Sequence, residues 1–175
     1  MIQRIRQFCR ALTAHISEAD RQYIDRSIPE AAIPLFYQMH PADQYHALGV
    51  ARTALQLVGS SDFPLDQSML LRCALLHDVG RKKGDLDIWG KVFAVLATHY
   101  APGLAKRIAC ATVSSFWDRP GHAIYVYFHH PEIGAAMLRD IGLYEEAAII
   151  SRHHQPPAQG ESVVLTILRQ ADEKN

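Results

Sequence analysis

The stretch Cys73-Ala-Leu-Leu-His-Asp-Val-Gly-Arg-Lys-Lys83 decides how this chain is read. An apolar run ends in an adjacent histidine and aspartate, then a glycine, then three cations. From residue 69 to residue 76 only Arg72 is polar. The pattern predicts a helix buried on most sides, beginning near Asp66 and running to Asp78. Gly80 reads as its left-handed cap. A core helix has no need of a carboxylate at its end, and burying one is costly unless something pairs with it. The rest of the chain must supply a partner for Asp78.

Helical punctuation dominates on both sides of this run. Ser17-Glu-Ala-Asp20 and Ser27-Ile-Pro-Glu30 both read as capping boxes. Pro34 should kink or restart the second pattern. Pro41 suits the first turn of a helix that runs to about Val58, with Gly59 at its end and a polar loop over 60–64. Helices are expected over 89–99 and 104–117, split by Ala101-Pro-Gly103, and a turn over 118–121. Residues 124–128 have strand propensity, but one short strand has nothing to pair with. Helices follow over 132–138 and 143–154, the latter stopped by Pro156 and Pro157, and a last one runs over 161–172. The fold class is all-α.

The chain has 175 residues, enough for one domain and for burying roughly 70% of the unfolded surface. It has no internal repeat and no linker. Residues 1–40 read as a helical extension packed on a core of residues 41–175. Ile2, Ile5, Phe8, Leu12 and Ile16 recur at helical spacing, which predicts an amphipathic helix lying on the domain. The net charge of +0 argues against a protein whose main task is gripping nucleic acid. Cys9, Cys73 and Cys110 are odd in number and form no C-x-x-C, so neither a disulfide framework nor a cysteine zinc site is expected. No apolar run reaches the length of a membrane span and no secretory signal is read, so a cytoplasmic protein with reduced thiols is expected.

There are ten histidines, several paired or beside an acid: His77-Asp78, His129-His130 and His153-His154. Adjacent residues within a helix point about 100° apart and do not face one target. At a helix end the geometry loosens and neighbours can serve one site. His77-Asp78 precedes Gly80, and His153-His154 precedes Pro156. Such helix ends suit a metal site, and imidazole with carboxylate suits Fe, Mn, Zn, Co or Ni. A carboxylate such as Asp78 can bridge two ions, and two ions about 3.5–4 Å apart can clamp a phosphoryl group. A metal is also the partner that a buried Asp78 requires.

The order His46, His77-Asp78, His130 within HHPEIGA, His153-His154 and Asp172 resembles the HD-domain metal-dependent phosphohydrolases. HDVG is similar to the HDIG form of the motif that names them. HPEIG followed by HH resembles the dinuclear branch that includes the HD-GYP cyclic-dinucleotide phosphodiesterases, although the GYP signature is absent. The resemblance covers about residues 42–175. It implies a compact HD-domain helical bundle. It implies that His46, His77, Asp78 and Asp172 hold one metal, and that Asp78 bridges to a second held by His130, His153 and His154. HPEIG aligns on His130 rather than His129. The family usually has a phosphate-contacting lysine after the motif glycine; here Arg81 stands there, with Lys82 next, and arginine is an equally cationic, more rigid fork.

The resemblance therefore implies an enzyme: a hydrolase of a nucleotide or other small phosphate mono- or diester, using one or two divalent ions, iron or manganese first, with Mg, Ni, Co and Zn as other choices. Asp78 and Arg81 are the expected catalytic residues, and Arg81 and Lys82 the expected phosphate contacts. The alternative is a non-catalytic regulatory module on a degenerate HD scaffold, binding a nucleotide or a partner protein. His15, His40, His99 and His122 match no motif and read as structural.

Overall fold

Capping chemistry opens the helices where a short side chain can satisfy the free N–H groups of the first turn. The structure, a computed structural model, describes residues 15–59, 65–84, 94, 96–115 and 118–175. Most of the amphipathic N-terminal pattern, Cys9, the 60–64 loop, Trp89 and Trp117 lie outside the described residues. Helix α1 (Glu18–Ser27) carries the expected capping box: Ser17 accepts from the Asp20 N–H, and Asp20 accepts from the Ser17 N–H. The second expected box does not form. Ser27 closes α1 and its hydroxyl donates to the Tyr23 carbonyl at 2.6 Å, so it opens nothing. A 3-10 turn (Glu30–Ala32) follows Pro29 instead, and α2 (Ile33–Tyr37) restarts with Pro34 in its first turn.

Helix α3 (Pro41–Val58) begins at its proline, with the His40 ring accepting from the Ala42 N–H at 3.2 Å. Helix α4 (Gln67–Leu76) is capped by Asp66, which accepts from Met69 N–H. It ends at Leu76 rather than Asp78, and residues 77–80 form a turn. Residues 96–100 are helical, and α5 (Pro102–Ile108) stops well short of residue 117. Ala109 turns extended there, and the Cys110 N–H donates to the Gly121 carbonyl. The expected turn at 118–121 is instead the start of a long helix, α6 (Arg119–Asp140), because proline fits a first helical turn without losing a bond. That helix absorbs both the strand-like 124–128 segment and the 132–138 helix. Helix α7 (Tyr144–Ile150) ends before His153, leaving 151–154 as a turn, and α8 (Val163–Lys174) is capped by Ser162.

The fold is all-α. Helix α4 is the centre of the main core: Met69, Leu70, Cys73, Ala74, Leu75 and Leu76 are all buried. It packs on α3, which in turn packs on α8, while α6 packs on α7. Ile16, Ile24 and Phe36 tie the N-terminal elements to the same core. The one polar residue of the α4 run, Arg72, pairs at 2.6 Å with the buried Glu146 of α7. Cys73 and Cys110 are free thiols. Among the described residues no helix is long and apolar enough to cross a membrane.

Gly80 is not a left-handed cap. Positive φ among the described glycines occurs at Gly84, Gly142 and Gly160. A Cβ on Gly80 would lie 2.2 Å from the His130 carbonyl oxygen and 2.9 Å from the Gly134 nitrogen. The glycine is there because the turn after α4 lies directly against the backbone of α6.

Candidate metal centre

Five elements deliver the polar cluster. His46 comes from α3, His77 and Asp78 from the turn after α4, and His130 from the middle of α6. His153 and His154 come from the turn after α7, and Asp172 from α8. His77, Asp78, His130 and His153 are each 3% exposed or less. The seven residues form a row. At one end the ligand atoms of His46, His77 and Asp172 lie within 4.8 Å of one another. The same holds for His77, Asp78 and His153 in the middle, and for His130, His153 and His154 at the far end.

One device aims three of the histidines. The Nδ1 atoms of His77, His130 and His153 donate to the carbonyl three residues back, Ala74 at 2.9 Å, Tyr127 at 3.0 Å and Ile150 at 2.6 Å. A carbonyl can only accept, so each Nδ1 holds the proton and each Nε2 is left with a bare lone pair facing the row. Ala74 and Ile150 lie at helix ends, where carbonyls fall outside the regular ladder, and the Ile150 carbonyl also accepts from the His153 N–H. In the interior of α6 proline does the same work. Pro131 has no N–H to give to the carbonyl four residues back, which is that of Tyr127, and the His130 ring takes it.

The electrostatics keep the imidazoles of His130, His153 and His154 neutral. Burial, together with the charge of Arg81, pushes the His130 pKa down to about 4. Burial and the neighbouring His77 and His154 rings hold His153 well below the ordinary histidine range. Burial also lowers His154, the most exposed of the set. Neutral imidazole is the form that ligates a metal. At the other end, burial opposes the charge on Asp172, but the hydrogen bond from His46 Nε2 at 2.9 Å wins and holds the carboxyl below its usual range. The same bond outweighs burial at His46 and raises its pKa.

Asp78 would be raised by burial, but Arg81, His77 and His130 outweigh it and hold it well below the usual carboxylate range. Its Oδ2 accepts from Arg81 Nη1 at 2.7 Å. Its Oδ1 faces His130 Nε2 at 3.3 Å, acceptor against acceptor. Three buried atoms of the row have no hydrogen-bond partner: His77 Nε2, Asp78 Oδ1 and His153 Nε2. Each such atom costs about 1–3 kcal/mol if nothing fills its valence. A divalent ion would satisfy all three, and two imidazole nitrogens and a carboxylate oxygen match the donors such an ion takes. The residues present could therefore hold one ion at the His46 end and a second at the His154 end.

The structure thus gathers His46, His77, Asp78, His130, His153, His154 and Asp172, with Arg81 beside them. His129 is exposed and rests on Tyr125, its ring centroid 4.5 Å away. Lys82 stays outside: it is exposed, with its backbone bridged to Met39. His15, His40, His99 and His122 belong to none of the three groups. One acid was not foreseen. Asp43 is buried on α3, with Oδ1 4.0 Å from Arg81 Nη1. Its signal is its spacing, three residues before His46 and so on the same helix face. Compared with protein-family models, with curated proteins and with solved structures, the chain matches none.

Proposed function

We propose that this chain is a metal-dependent phosphohydrolase of the HD type, acting on a nucleotide or another small phosphate mono- or diester. The observation that carries the reading is the set of inward, unpartnered donor atoms on His77, Asp78 and His153, aimed by carbonyls behind the rings. A protein that needed only a packed core would have no reason to keep lone pairs there. Divalent ions, iron or manganese first, would supply Lewis acidity toward a phosphoryl oxygen and toward water. The chain's own groups do the rest. Asp78, in the middle of the row, would be the carboxylate ligand shared by its neighbouring histidines. Asp172 fixes the His46 ring. Arg81 brings positive charge beside the row, where phosphate oxygens would lie. A cytoplasmic setting agrees with the free thiols of Cys73 and Cys110.

The test is hydrolysis of a panel of nucleoside monophosphates, cyclic dinucleotides and generic phosphodiesters by protein freed of metal and reloaded with Mn²⁺ or Fe²⁺. Turnover should require the ion and should vanish in Asp78→Ala. Full activity in Asp78→Ala, or turnover in excess chelator, would sink the proposal. The grip of Arg81 on Asp78 and His130 favours a second reading, a nucleotide-binding module without turnover. Tight nucleotide binding with no product after long incubation would select it.

A further inference from the structure

Arg81 sits where a second ion would have to bind. Its Nη1 donates to Asp78 Oδ2 at 2.7 Å, and its Nη2 donates to His130 Nε2 at 3.0 Å. The His130 contact is the decisive one. With Nδ1 committed to Tyr127, the ring has a single lone pair, on Nε2. That lone pair already accepts from Arg81, and His154 Nε2 stands 3.1 Å away as a further donor. It can go to N–H donors or to a metal ion, not to both.

The position of Arg81 is built by the backbone. The Arg81 N–H donates to the Asp78 carbonyl at 2.9 Å, and the Lys83 N–H donates to the Gln38 carbonyl at 2.8 Å. Lys82 bridges to Met39, and Gly80 lies against α6. The segment is thus pinned on both sides, and the guanidinium is directed into the row between Asp78, Asp43 and His130. Elsewhere in the row His77 Nε2 and His153 Nε2 have no hydrogen-bond donor on them, and His46 and Asp172 engage each other.

We propose that Arg81 is a built-in cation at the second metal position: the chain binds one divalent ion through His46, His77, Asp78 and Asp172, and a second enters at His130, His153 and His154 only when Arg81 is removed or displaced. The inference rests on the metal-centre reading above and adds the ion count and the residue that sets it. A guanidinium suits the role because its fork reaches a carboxylate and an imidazole together.

The experiment is Mn²⁺ binding to chelator-stripped full-length protein, by calorimetric titration and by elemental analysis after equilibrium dialysis. The wild type should take up one equivalent. Arg81→Ala, checked for helicity by circular dichroism, should take up two. His130→Ala in the wild-type background should leave the count at one, because His130 is occupied by Arg81 rather than by an ion. Two equivalents in the wild type would overturn the role of Arg81 while leaving the metal-centre reading intact, as would one equivalent in folded Arg81→Ala. Should Arg81→Ala fail to fold, His130→Ala decides: a drop from two to one refutes the proposal, and an unchanged single ion supports it. No uptake by the wild type would remove both this inference and the reading beneath it.

Discussion

Gly80 touches the backbone of His130: a Cβ on the glycine would stand 2.2 Å from the His130 carbonyl oxygen. That approach is what brings His77 and Asp78, just upstream of Gly80, within reach of the ring of His130. Asp78 Oδ1 and His130 Nε2 end up 3.3 Å apart.

Gly80→Ala should therefore be costly. The added methyl meets backbone on α6, which cannot rotate away, so the turn must lift off the helix. A loss of about 1–3 kcal/mol is expected from such overpacking. Gly134→Ala should cost less, because its Cβ would meet Gly80 N at 3.1 Å and the Val79 side chain at 3.3 Å. Urea denaturation midpoints of the two variants check the order; equal and negligible shifts would count against the close approach.

A bound ion should stabilise the fold, because the donor set is assembled only in the native state. At a hundredfold excess over Kd the gain is about 2.7 kcal/mol, or roughly 5–10 °C in Tm for a chain of this size. Thermal melts of stripped protein with and without Mn²⁺ measure it. The gain should vanish in His77→Ala and in Asp172→Ala. A wild-type melt that ignores Mn²⁺ would speak against any metal role for the row.

Stripped protein should lose stability on mild acidification. Burial lowers the His130 pKa to about 4, against 6.5 for the free side chain. The unfolded chain therefore takes up a proton below pH 6.5 that the folded chain refuses. Stability falls between pH 6.5 and 4, by on the order of 3 kcal/mol from this one group, and the loss levels off below pH 4. His153 acts in the same direction. The lowered carboxyls of Asp78 and Asp172 contribute stability above their unfolded pKa that disappears only at more acidic pH. His46, whose pKa is raised, works the other way near and above pH 6.5, where the folded ring keeps a proton that the unfolded one releases, and its contribution is complete at more acidic pH. Urea midpoints from pH 7 to pH 4 in chelator test the sign. A flat profile, or a rising one toward acid, would mean that the rings are not held neutral.

Glu146→Ala should destabilise through Arg72. Glu146 is buried and accepts from Arg72 at 2.6 Å, and its removal strands a cation on the central helix. The expected cost is about 2 kcal/mol, below that of a fully buried pair because Arg72 keeps some contact with water. The double variant Arg72→Leu, Glu146→Leu should recover most of the loss. A Glu146→Ala midpoint equal to that of the wild type would show that the pair contributes nothing.

Much of this fold is local and so could be read from the chain alone. Ser17, Asp66 and Ser162 open helices because a cap works over one turn, and α4 is central because its own residues are apolar on nearly every side. The pairing of neighbours at helix ends was legible for the same reason at His77-Asp78 and His153-His154. Where local signals misled, a distant contact had overruled them. Gly80 is a point of approach to α6 rather than a cap, and residues 119–128 joined one helix whose inner face is buried. The partner of Asp78 Oδ2 proved to be Arg81, three residues away, and Asp43 joined them from α3. Pro131 frees the carbonyl that aims His130, a role visible only once the helix around it is known. The sequence by itself determined the fold class, several helix starts and which residues offer imidazole and carboxylate donors, because those depend on a residue and its near neighbours. Only the tertiary structure decided which lone pairs meet, because that depends on how closely α3, α4, α6 and α8 pack across the core.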